Sequence, residues 1–475
     1  MTTPDDPIED EATPDEAPAP AQVASGAIVA LVGRPNVGKS TLFNRLTGHK
    51  TAIVHDEPGV TRDRHYGDVL SRGRRFTLVD TGGFDPESAD PMRLGIRRQV
   101  ELAIAEADVI VCVLDAREAL MPADHKEIAL LRRADKPVLF VANKADNPRL
   151  ENEASDLYRL GIDHLINLSA LHGRGIDDLE AAIEAALPPV VMVDPPDASV
   201  AAHIAVIGRP NAGKSSLVNR LAGEERVLVD ARPGTTRDPI DLKIERDGKT
   251  WVLVDTAGIR RKAKVAKEDD VVEAVSVLHA IRAMERCEVA LLLCDAVEGP
   301  SEQDAKILGL AEDRGRAIVI ALNKIDLVDK TRMKKLDEEA RDKLSFAQWA
   351  PIVHVSAQTG RGLGNLFETV AKVAQAYRRR VPTGELNRFF ETVLETHPPP
   401  TSGGRAPRLY YITQAEASPP LFVIIASDPT KIHFSYRRYV MNQLRKSFGF
   451  EGVPVRVKYK ERRRRERVGA GRQAR

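Results

Sequence analysis

One eight-residue sequence pattern occurs twice in this chain, once near the N-terminus and once near the middle. Each copy follows a run of apolar residues and precedes a segment typical of a helix, so the order is strand, glycine-rich loop, helix. A repeat distance this long indicates a duplicated domain, because solenoid repeats are shorter. The two copies are Gly33-Arg34-Pro35-Asn36-Val37-Gly38-Lys39-Ser40 and Gly208-Arg209-Pro210-Asn211-Ala212-Gly213-Lys214-Ser215.

The loop has the composition of a phosphate-binding P-loop. Its glycines let successive backbone N–H groups point inward at phosphate oxygens. Lys39 and Lys214 can reach the β- and γ-phosphates, and the hydroxyls of Ser40 and Ser215 can ligate Mg²⁺. An ordinary glycine-rich turn is the alternative, and the flanking strand and helix disfavour it. The repeat therefore predicts two nucleotide sites.

Four further short motifs accompany each loop in the same order. Each motif alone is weak, since Asp-x-x-Gly is a common turn and an isolated Ser-Ala has no specificity. Five motifs in order, twice, indicate a nucleotide-hydrolysing domain pair. The four are Thr61 and Thr236 in Pro-Gly-x-Thr-Arg-Asp, Asp80-Thr81-Gly82-Gly83 and Asp255-Thr256-Ala257-Gly258, Asn143-Lys144-Ala145-Asp146 and Asn323-Lys324-Ile325-Asp326, and Ser169-Ala170 and Ser356-Ala357.

Two of these motifs predict Mg²⁺ ligation. Asp80 and Asp255 end apolar strands, where a carboxylate can hold Mg²⁺ through its water shell. Thr61 and Thr236 lie in loops and can add a hydroxyl to the ion only when a γ-phosphate is present. These loops are therefore expected to be switches, ordered by the triphosphate and released by the diphosphate.

The other motifs predict contacts to the γ-phosphate and to the base. Gly83 and Gly258 can bring a backbone N–H to the γ-phosphate, because no side chain blocks the approach. Asp146 and Asp326 follow apolar strands, and a carboxylate there can accept the N1–H and N2 amino hydrogens of guanine. Adenine lacks that donor pair. The motifs therefore favour GTP and GDP over adenine nucleotides.

The fold class predicted is α/β, with two tandem P-loop domains built on parallel-type sheets and a small C-terminal α+β domain. The chain has 475 residues, enough for about three domains. The predicted segments are an acidic disordered tail (1–25), the first GTPase domain (26–189), a proline-rich linker (190–200), the second GTPase domain (201–377), an α-β-β-α-β domain (378–460) and a basic tail (461–475).

Composition restricts partners and compartment only weakly. The net charge is +1, so no whole-molecule field favours a nucleic acid or a membrane. The 3 cysteines form no metal or disulfide pattern, and Cys112 and Cys294 are expected to be buried. No apolar run is long enough to span a membrane and no signal peptide is visible, so we expect a cytoplasmic protein. We also expect a monomer.

The order of motifs resembles the translation-factor-related class of P-loop GTPases, and the duplication resembles one family in it, Der, also called EngA. The resemblance covers about residues 26 to 460 and implies a KH-like C-terminal domain. It also implies a GTP-hydrolysing switch in assembly of the large ribosomal subunit, with that subunit and its rRNA as partners, and neither DNA nor membrane. The C-terminal segments that carry it are Thr383-Gly384-Glu385-Leu386-Asn387, His397-Pro398-Pro399-Pro400, Tyr411-Ile412-Thr413-Gln414 and Ser435-Tyr436-Arg437-Arg438-Tyr439.

The glutamine that orients the attacking water in Ras-type GTPases is missing from both halves. Phe84 and Ile259 stand in its place, and neither side chain can hydrogen-bond a water. Related GTPases with hydrophobic residues there use a potassium ion held by a P-loop asparagine. That resemblance implies potassium stimulation through Asn36 and Asn211. The alternative is that both asparagines only support the loop turn.

An RNA-binding role for the C-terminal domain rests on its charge. KH modules clamp nucleotides with a Gly-x-x-Gly loop, but Gly449-Phe450-Glu451-Gly452 is interpreted as a helix C-cap turn. Aromatic residues there either stack on bases or, more often, belong to the core; they are Tyr410, Tyr411, Phe422 and Tyr436. The basic residues are Arg437, Arg438, Arg445, Lys446, Arg456, Lys458, Lys460 and the run at 462–465.

Two other functions remain open. A GTPase that serves tRNA modification would use the same stimulation by potassium, but such a GTPase usually has one GTPase domain. A nucleotide-sensing scaffold would bind GTP in one half without turnover, and Phe84 and Ile259 keep that alternative open.

A basic loop follows the second Asp-x-x-Gly motif. It either contacts phosphate, RNA or an acidic partner, or is simply solvated, and its residues are Arg260, Arg261, Lys262 and Lys264.

Overall fold

The structure is a computed structural model that describes most of the chain between residues 26 and 462. The described residues are 26–48, 66–81, 107–118, 122–146, 162, 164–189, 199–224, 226–228, 241–256, 269–400 and 406–462. The predicted acidic tail lies outside them, as do most of the linker and of the basic tail.

The first half folds as a six-stranded sheet with helices. Its elements are β1 (Ile28–Val32), α1 (Lys39–Gly48), β2 (Tyr66–Ser71), β3 (Arg74–Asp80), β4 (Val109–Asp115), α2 (Pro122–Leu131), β5 (Val138–Asn143), β6 (Leu165–Asn167) and α3 (Ile176–Ala186). The strand order is β2-β3-β1-β4-β5-β6. The central strands β1 and β4 are apolar and buried along their whole length, as expected where helices cover both faces of a parallel sheet.

The second half repeats this arrangement with seven strands. Its elements are β7 (Val200–Ile207), α4 (Lys214–Glu224), β8 (Arg226–Leu228), β9 (Leu242–Arg246), β10 (Lys249–Leu253), α5 (Asp269–Arg286), β11 (Val289–Asp295), α6 (Glu302–Asp313), β12 (Ala317–Asn323), α7 (Lys330–Lys343), β13 (Ile352–His354) and α8 (Leu363–Tyr377). The strand order is β13-β12-β11-β7-β10-β9-β8. In both halves the P-loop connects a central strand to the following helix.

Each sheet is parallel except at one edge, where it contains antiparallel strands. β2 pairs with β3, and β9 with β10, in antiparallel hairpins that the sequence analysis did not predict. The hairpin turns are Arg72-Gly73, with φ of 48° and 84°, and Asp247-Gly248, with φ of 53° and 71°. Two consecutive positive φ values are the requirement of a tight hairpin turn, so the x-Gly pairs were the available signal.

The C-terminal part has the predicted α-β-β-α-β order. Its elements are α9 (Thr383–Thr396), β14 (Leu409–Glu416), β15 (Leu421–Ala426), α10 (Phe434–Phe448) and β16 (Arg456–Glu461). β15 is the middle strand, antiparallel to β14 and parallel to β16. Phe390, Phe422 and Phe450 are each at most 1% exposed and form the centre of its core.

The three parts contact one another through specific polar groups. Between the halves, Arg314 Nη2 lies 3.1 Å from Asp68 Oδ1, and the arginine side chain is 3% exposed. Between the second half and the C-terminal part, the N–H of Ile318 donates to the carbonyl of Gly452 at 2.7 Å. The N–H of Gly452 in turn donates to the carbonyl of Trp349. None of the helices in the described part of the chain has the length and hydrophobicity needed to span a bilayer.

Candidate nucleotide sites

The two P-loops share one backbone conformation that requires glycine. Gly33 and Gly208 both have φ of 139°, and a Cβ atom there would lie 2.3 or 2.4 Å from a carbonyl oxygen of the neighbouring strand. Gly38 and Gly213 have φ of 96° and 98°, and a Cβ atom would meet the side-chain amide of Asn143 or Asn323. Any larger residue would push the loop away from β4 or β11, so the sequence pattern follows from close backbone approach.

The P-loop lysines point back into their own loops. Lys39 Nζ donates to the carbonyls of Gly33 and Arg34 at 2.6 and 2.8 Å. Lys214 Nζ donates to the carbonyls of Gly208 and Arg209 at 2.6 and 2.5 Å. Each ammonium is therefore held under the curl of the loop, where the phosphates are predicted to lie. Burial lowers the pKa of Lys39, against the nearby negative charge of Asp80.

Two of the predicted magnesium ligands are in contact in the first half. Ser40 Oγ donates to Asp80 Oδ2 at 2.7 Å, and Asp80 ends β3 as predicted. A hydroxyl and a carboxylate in contact are oxygen donors of the kind Mg²⁺ prefers, so this pair fits the ion.

The second half departs from the prediction at the same point. β10 ends at Leu253, and Asp255 follows two residues later with φ of 55°, rather than ending the strand. Its Oδ2 lies 3.5 Å from His279 Nδ1 on α5, and its N–H donates to Asp241 Oδ1. Asp255 and Ser215 still supply oxygen donors at this edge, but the local surroundings of the carboxylate differ from those of Asp80.

An asparagine amide ties three motifs together in each half. Asn143 Nδ2 donates to the carbonyl of Val37 in the P-loop, and its Oδ1 accepts from the N–H of Ala170, at 2.8 and 2.9 Å. Asn323 makes the same bonds to Ala212 and Ala357, both at 2.9 Å. Both asparagines are buried, so one side chain sets the spacing between the predicted phosphate and base loops.

The lysine of each Asn-Lys-x-Asp motif pairs with an aspartate that the sequence analysis missed. Lys144 Nζ lies 2.5 Å from Asp115 Oδ2, and Lys324 Nζ lies 2.5 Å from Asp295 Oδ2. Both aspartates are the last residues of buried apolar strands, β4 and β11, and that position was the available signal. Both lysines have φ of 68°, which places the backbone in the left-handed region.

The predicted base-recognition carboxylates differ between the halves. Asp146 Oδ1 accepts from Ser169 Oγ at 2.7 Å, and Asp146 Oδ2 forms an ion pair with the Arg117 guanidinium. The hydrogen bond from Ser169, together with the charge of Arg117, lowers the pKa of Asp146. Asp326 lies instead in the short 3₁₀ helix Ile325–Leu327, and Val297 stands where the first half has Arg117.

The remaining predicted residues fall into three groups. Buried residues that build the loops are Val37, Thr81, Ala145, Ala170, Ala212, Thr256, Ile325, Ser356 and Ala357. Loop residues that are at least partly exposed are Pro35, Asn36, Pro210 and Asn211, and the two asparagines have φ of 66° and 63°. Outside the described residues lie Thr61, Gly82, Gly83, Phe84, Thr236, Ala257, Gly258, Ile259, Arg260, Arg261, Lys262 and Lys264.

In the C-terminal part, the predicted stacking residues divide between core and surface. Phe422 and Tyr436 are buried, which agrees with the expectation that these aromatic residues belong to the core. Tyr410 and Tyr411 are 38% and 50% exposed, so the expectation of core positions is wrong for these two. They lie on β14, which is an edge strand of the described three-stranded sheet. Gly449 is the C-cap of α10 with φ of 64°, which confirms the C-cap interpretation.

Comparison with known proteins places this architecture in a family. The family model described as "50S ribosome-binding GTPase" matches residues 28–144 and 203–324, and one described as "KH-domain-like of EngA bacterial GTPase enzymes, C-terminal" matches 380–460. The GTPase Der of Syntrophotalea carbinolica is 48% identical over 93% of this chain and 100% of its own length. The chain belongs to the Der family of GTPases.

Other Der relatives agree over the same length. The GTPase Der proteins of Caldanaerobacter subterraneus and Moorella thermoacetica are 47% and 46% identical, over 92% and 93% of this chain and 99% of theirs. The predictions of a Der-family GTPase, of two P-loop domains and of a KH-like C-terminal domain are confirmed. The roles assigned to individual residues stay predictions.

Proposed function

We propose that this Der-family GTPase binds and hydrolyses GTP in both halves and acts as a switch in assembly of the large ribosomal subunit. The observation that supports two working sites is the asparagine bridge. Asn143 and Asn323 make the same two hydrogen bonds, to a P-loop carbonyl and to a backbone N–H of the Ser-Ala motif. The same buried bridge therefore holds the P-loop at the same spacing from the Ser-Ala motif in both halves, and this shared geometry supports a nucleotide site in each.

In this proposal the polar groups of each site divide the nucleotide between them. Asp146 and Asp326 accept from the guanine edge, while the backbone beside Ser169-Ala170 and Ser356-Ala357 contacts the base. Lys39 and Lys214 leave their loop carbonyls and bind the β- and γ-phosphates. The N–H groups of Gly83 and Gly258 contact the γ-phosphate, and positive groups there stabilise the charge that develops during hydrolysis.

Two metal ions belong to the proposal. The contact between Ser40 and Asp80 supports a Mg²⁺ site there, and Ser215 and Asp255 hold the ion in the second half. Thr61 and Thr236 complete the shell in the triphosphate state. Bound Mg²⁺ neutralises phosphate charge and orients the oxygens. For K⁺, the side chains of Asn36 and Asn211 supply the ligand, and both are exposed turn residues of their loops.

The switch has a physical basis in the ion pairs between the halves. Arg314 pairs with Asp68, and Arg282 Nη2 lies 3.0 Å from Asp108 Oδ1. Asp68 lies on β2, which begins five residues after Thr61 in the sequence, and the segment around Thr61 is the predicted switch loop. A change in that loop between nucleotide states is therefore expected to alter the contact between halves and the access of rRNA to the basic C-terminal part.

Co-sedimentation with ribosomal subunits tests the proposal. Full-length protein is added to lysate with a non-hydrolysable GTP analogue or with GDP, and each gradient fraction is probed. We expect association with the large subunit in the triphosphate state, and loss of that association in Lys39→Ala and Lys214→Ala. Association with neither subunit in either state contradicts the ribosome assignment and turns the search to a protein partner such as a modification enzyme.

A further inference from the structure

Glu127 is a buried carboxylate on the helix that the Arg34–Asp124 ion pair holds against the first P-loop, and none of the predicted steps uses it. It lies on α2, is 4% exposed, and neither carboxylate oxygen has a hydrogen-bond partner among the described residues. Burying an ionised carboxylate without hydrogen bonds is costly, so such a group either has a function or is neutral.

Charged and titratable groups face Glu127 from three elements. The P-loop contributes Lys39 and Arg34, β4 contributes Cys112, and α2 itself contributes Asp124. Arg34 Nε lies 2.7 Å from Asp124 Oδ1, and its Nη2 lies 3.2 Å from Glu118. Arg34 is thus engaged with two other acids, and Lys39 is the cation that acts most strongly on Glu127.

The second half provides an internal comparison, because it has no acid at this position. Arg209 pairs with Glu298 and Asp304 at 2.5 and 3.6 Å, just as Arg34 pairs with Glu118 and Asp124. This match fixes the alignment of α2 with α6. The residue that corresponds to Glu127 is then Ile307, which is 0% exposed. The buried acid is therefore a property of the first site alone.

We propose that Glu127 is a proton-linked positioning residue of the first nucleotide site. While the loop carbonyls hold Lys39, the ammonium charge of Lys39 stabilises the ionised form of Glu127. When nucleotide phosphates bind Lys39, Glu127 takes up a proton from solvent. The proposal rests on the proposed role of Lys39 in binding phosphate. The proton uptake has a physical cause: phosphate adds negative charge near a carboxylate in a low-dielectric interior, and this disfavours the ionised acid.

The titration of Glu127 lies in the right range for this coupling. Burial raises its pKa to about 7, with Lys39 opposing the rise and Asp124 adding to it. Near pH 7 the nucleotide-free site is then about half protonated, and binding takes up about a quarter to two-fifths of a proton. Because the bound state holds more protons, affinity is greatest at low pH and falls as the pH rises. Through this acid alone, the first site is expected to bind GDP about three- to tenfold more weakly at high pH.

Isothermal titration calorimetry measures this proton directly. GDP is titrated into the full chain near neutral pH in two buffers of different ionisation enthalpy, and the difference gives the protons taken up. Wild type is compared with Glu127→Ile, which copies the second half, and with Glu127→Gln, which keeps the size. We expect both variants to take up about a quarter to two-fifths of a proton less than wild type. Titration of the nucleotide phosphates is common to all three proteins and cancels.

Separate outcomes test the inference and the proposed function. If wild type and both variants take up the same number of protons while two GDP sites are filled, the proton linkage is overturned. If Lys39→Ala leaves GDP stoichiometry unchanged, the proposed nucleotide site itself is wrong. A change in affinity without a change in proton uptake also overturns the linkage, because it would assign Glu127 a packing role.

Discussion

The two halves of this GTPase share a scaffold but surround their nucleotide sites with different charges. The P-loop lysines, the bridging asparagines and the Asp115 and Asp295 pairs match almost bond for bond. The differences fall on the next layer of residues. The first half has Glu127 and Arg117 where the second has Ile307 and Val297. Duplication has therefore kept the geometry that defines the site, while electrostatics that tune the site have diverged.

Removing each P-loop lysine is expected to give the largest effect and to test whether the halves act separately. Lys39→Ala or Lys214→Ala should remove one phosphate-binding charge and weaken GDP binding at that site by about a hundredfold or more. Equilibrium dialysis should then show one filled site in each variant instead of two. If either variant lost both sites, the halves would be coupled. The two sites could then be compared only in a chain that keeps both lysines.

Much of this comparison could be predicted from the sequence, because the motifs are local. Lys39, Asn143 and their counterparts were identified from short patterns whose chemistry requires those residues. The acids around Arg34 could not be, because Glu118 and Asp124 reach it only through the fold. The edge hairpins were missed because the Arg72-Gly73 and Asp247-Gly248 pairs were not used as turn signals, and because β2 mixes polar and apolar residues. The exposure of Tyr410 and Tyr411 depends on which sheet edge is left unpaired, which the sequence does not state.

Replacing Glu127 should change the stability of the first half in a pH-dependent way. Its folded pKa of about 7 lies above the ordinary value of 4.5, so the folded state binds the proton more tightly. The stability that this gives is complete below the ordinary pKa and is lost as the pH rises through the folded pKa. At alkaline pH, Glu127→Ile should therefore be more stable than wild type by about 2 to 3 kcal/mol.

Hydrogen exchange of the β4 amides is the local measurement for that stability. The difference between Glu127→Ile and wild type should shrink as the pH is lowered toward about 5. Glu127→Gln serves as the control that removes the charge without adding apolar volume, and the β11 amides of the second half should be unaffected. A gain in protection that is equal at all pH values would assign the effect to packing.

The two halves are expected to differ less in base recognition, because each has an aspartate at the position proposed to bind guanine. Asp146→Asn and Asp326→Asn should each cost about 2 kcal/mol of GDP affinity at one site, since an amide cannot accept two guanine donors. The same variants should gain affinity for xanthosine diphosphate, whose base presents an acceptor in place of the amino group. Competition binding with both nucleotides measures the change. Unaltered guanine preference in Asp146→Asn would show that another group reads the base in the first half.

The smallest expected effect concerns Arg117, which covers the carboxylate that is proposed to bind guanine. Arg117 is 48% exposed at its side chain and pairs with Asp146 Oδ2, one of the two oxygens that the base requires. Guanine must therefore displace the guanidinium. An exposed ion pair is worth about 0.2–1 kcal/mol, so Arg117→Val should raise GDP affinity of the first site by up to about fivefold. The reciprocal Val297→Arg should lower affinity of the second site by a similar factor, measured by titration of a fluorescent GDP analogue. Weaker binding in Arg117→Val would mean that the guanidinium moves onto the nucleotide rather than competing with it, and the difference between the halves would then favour the first site.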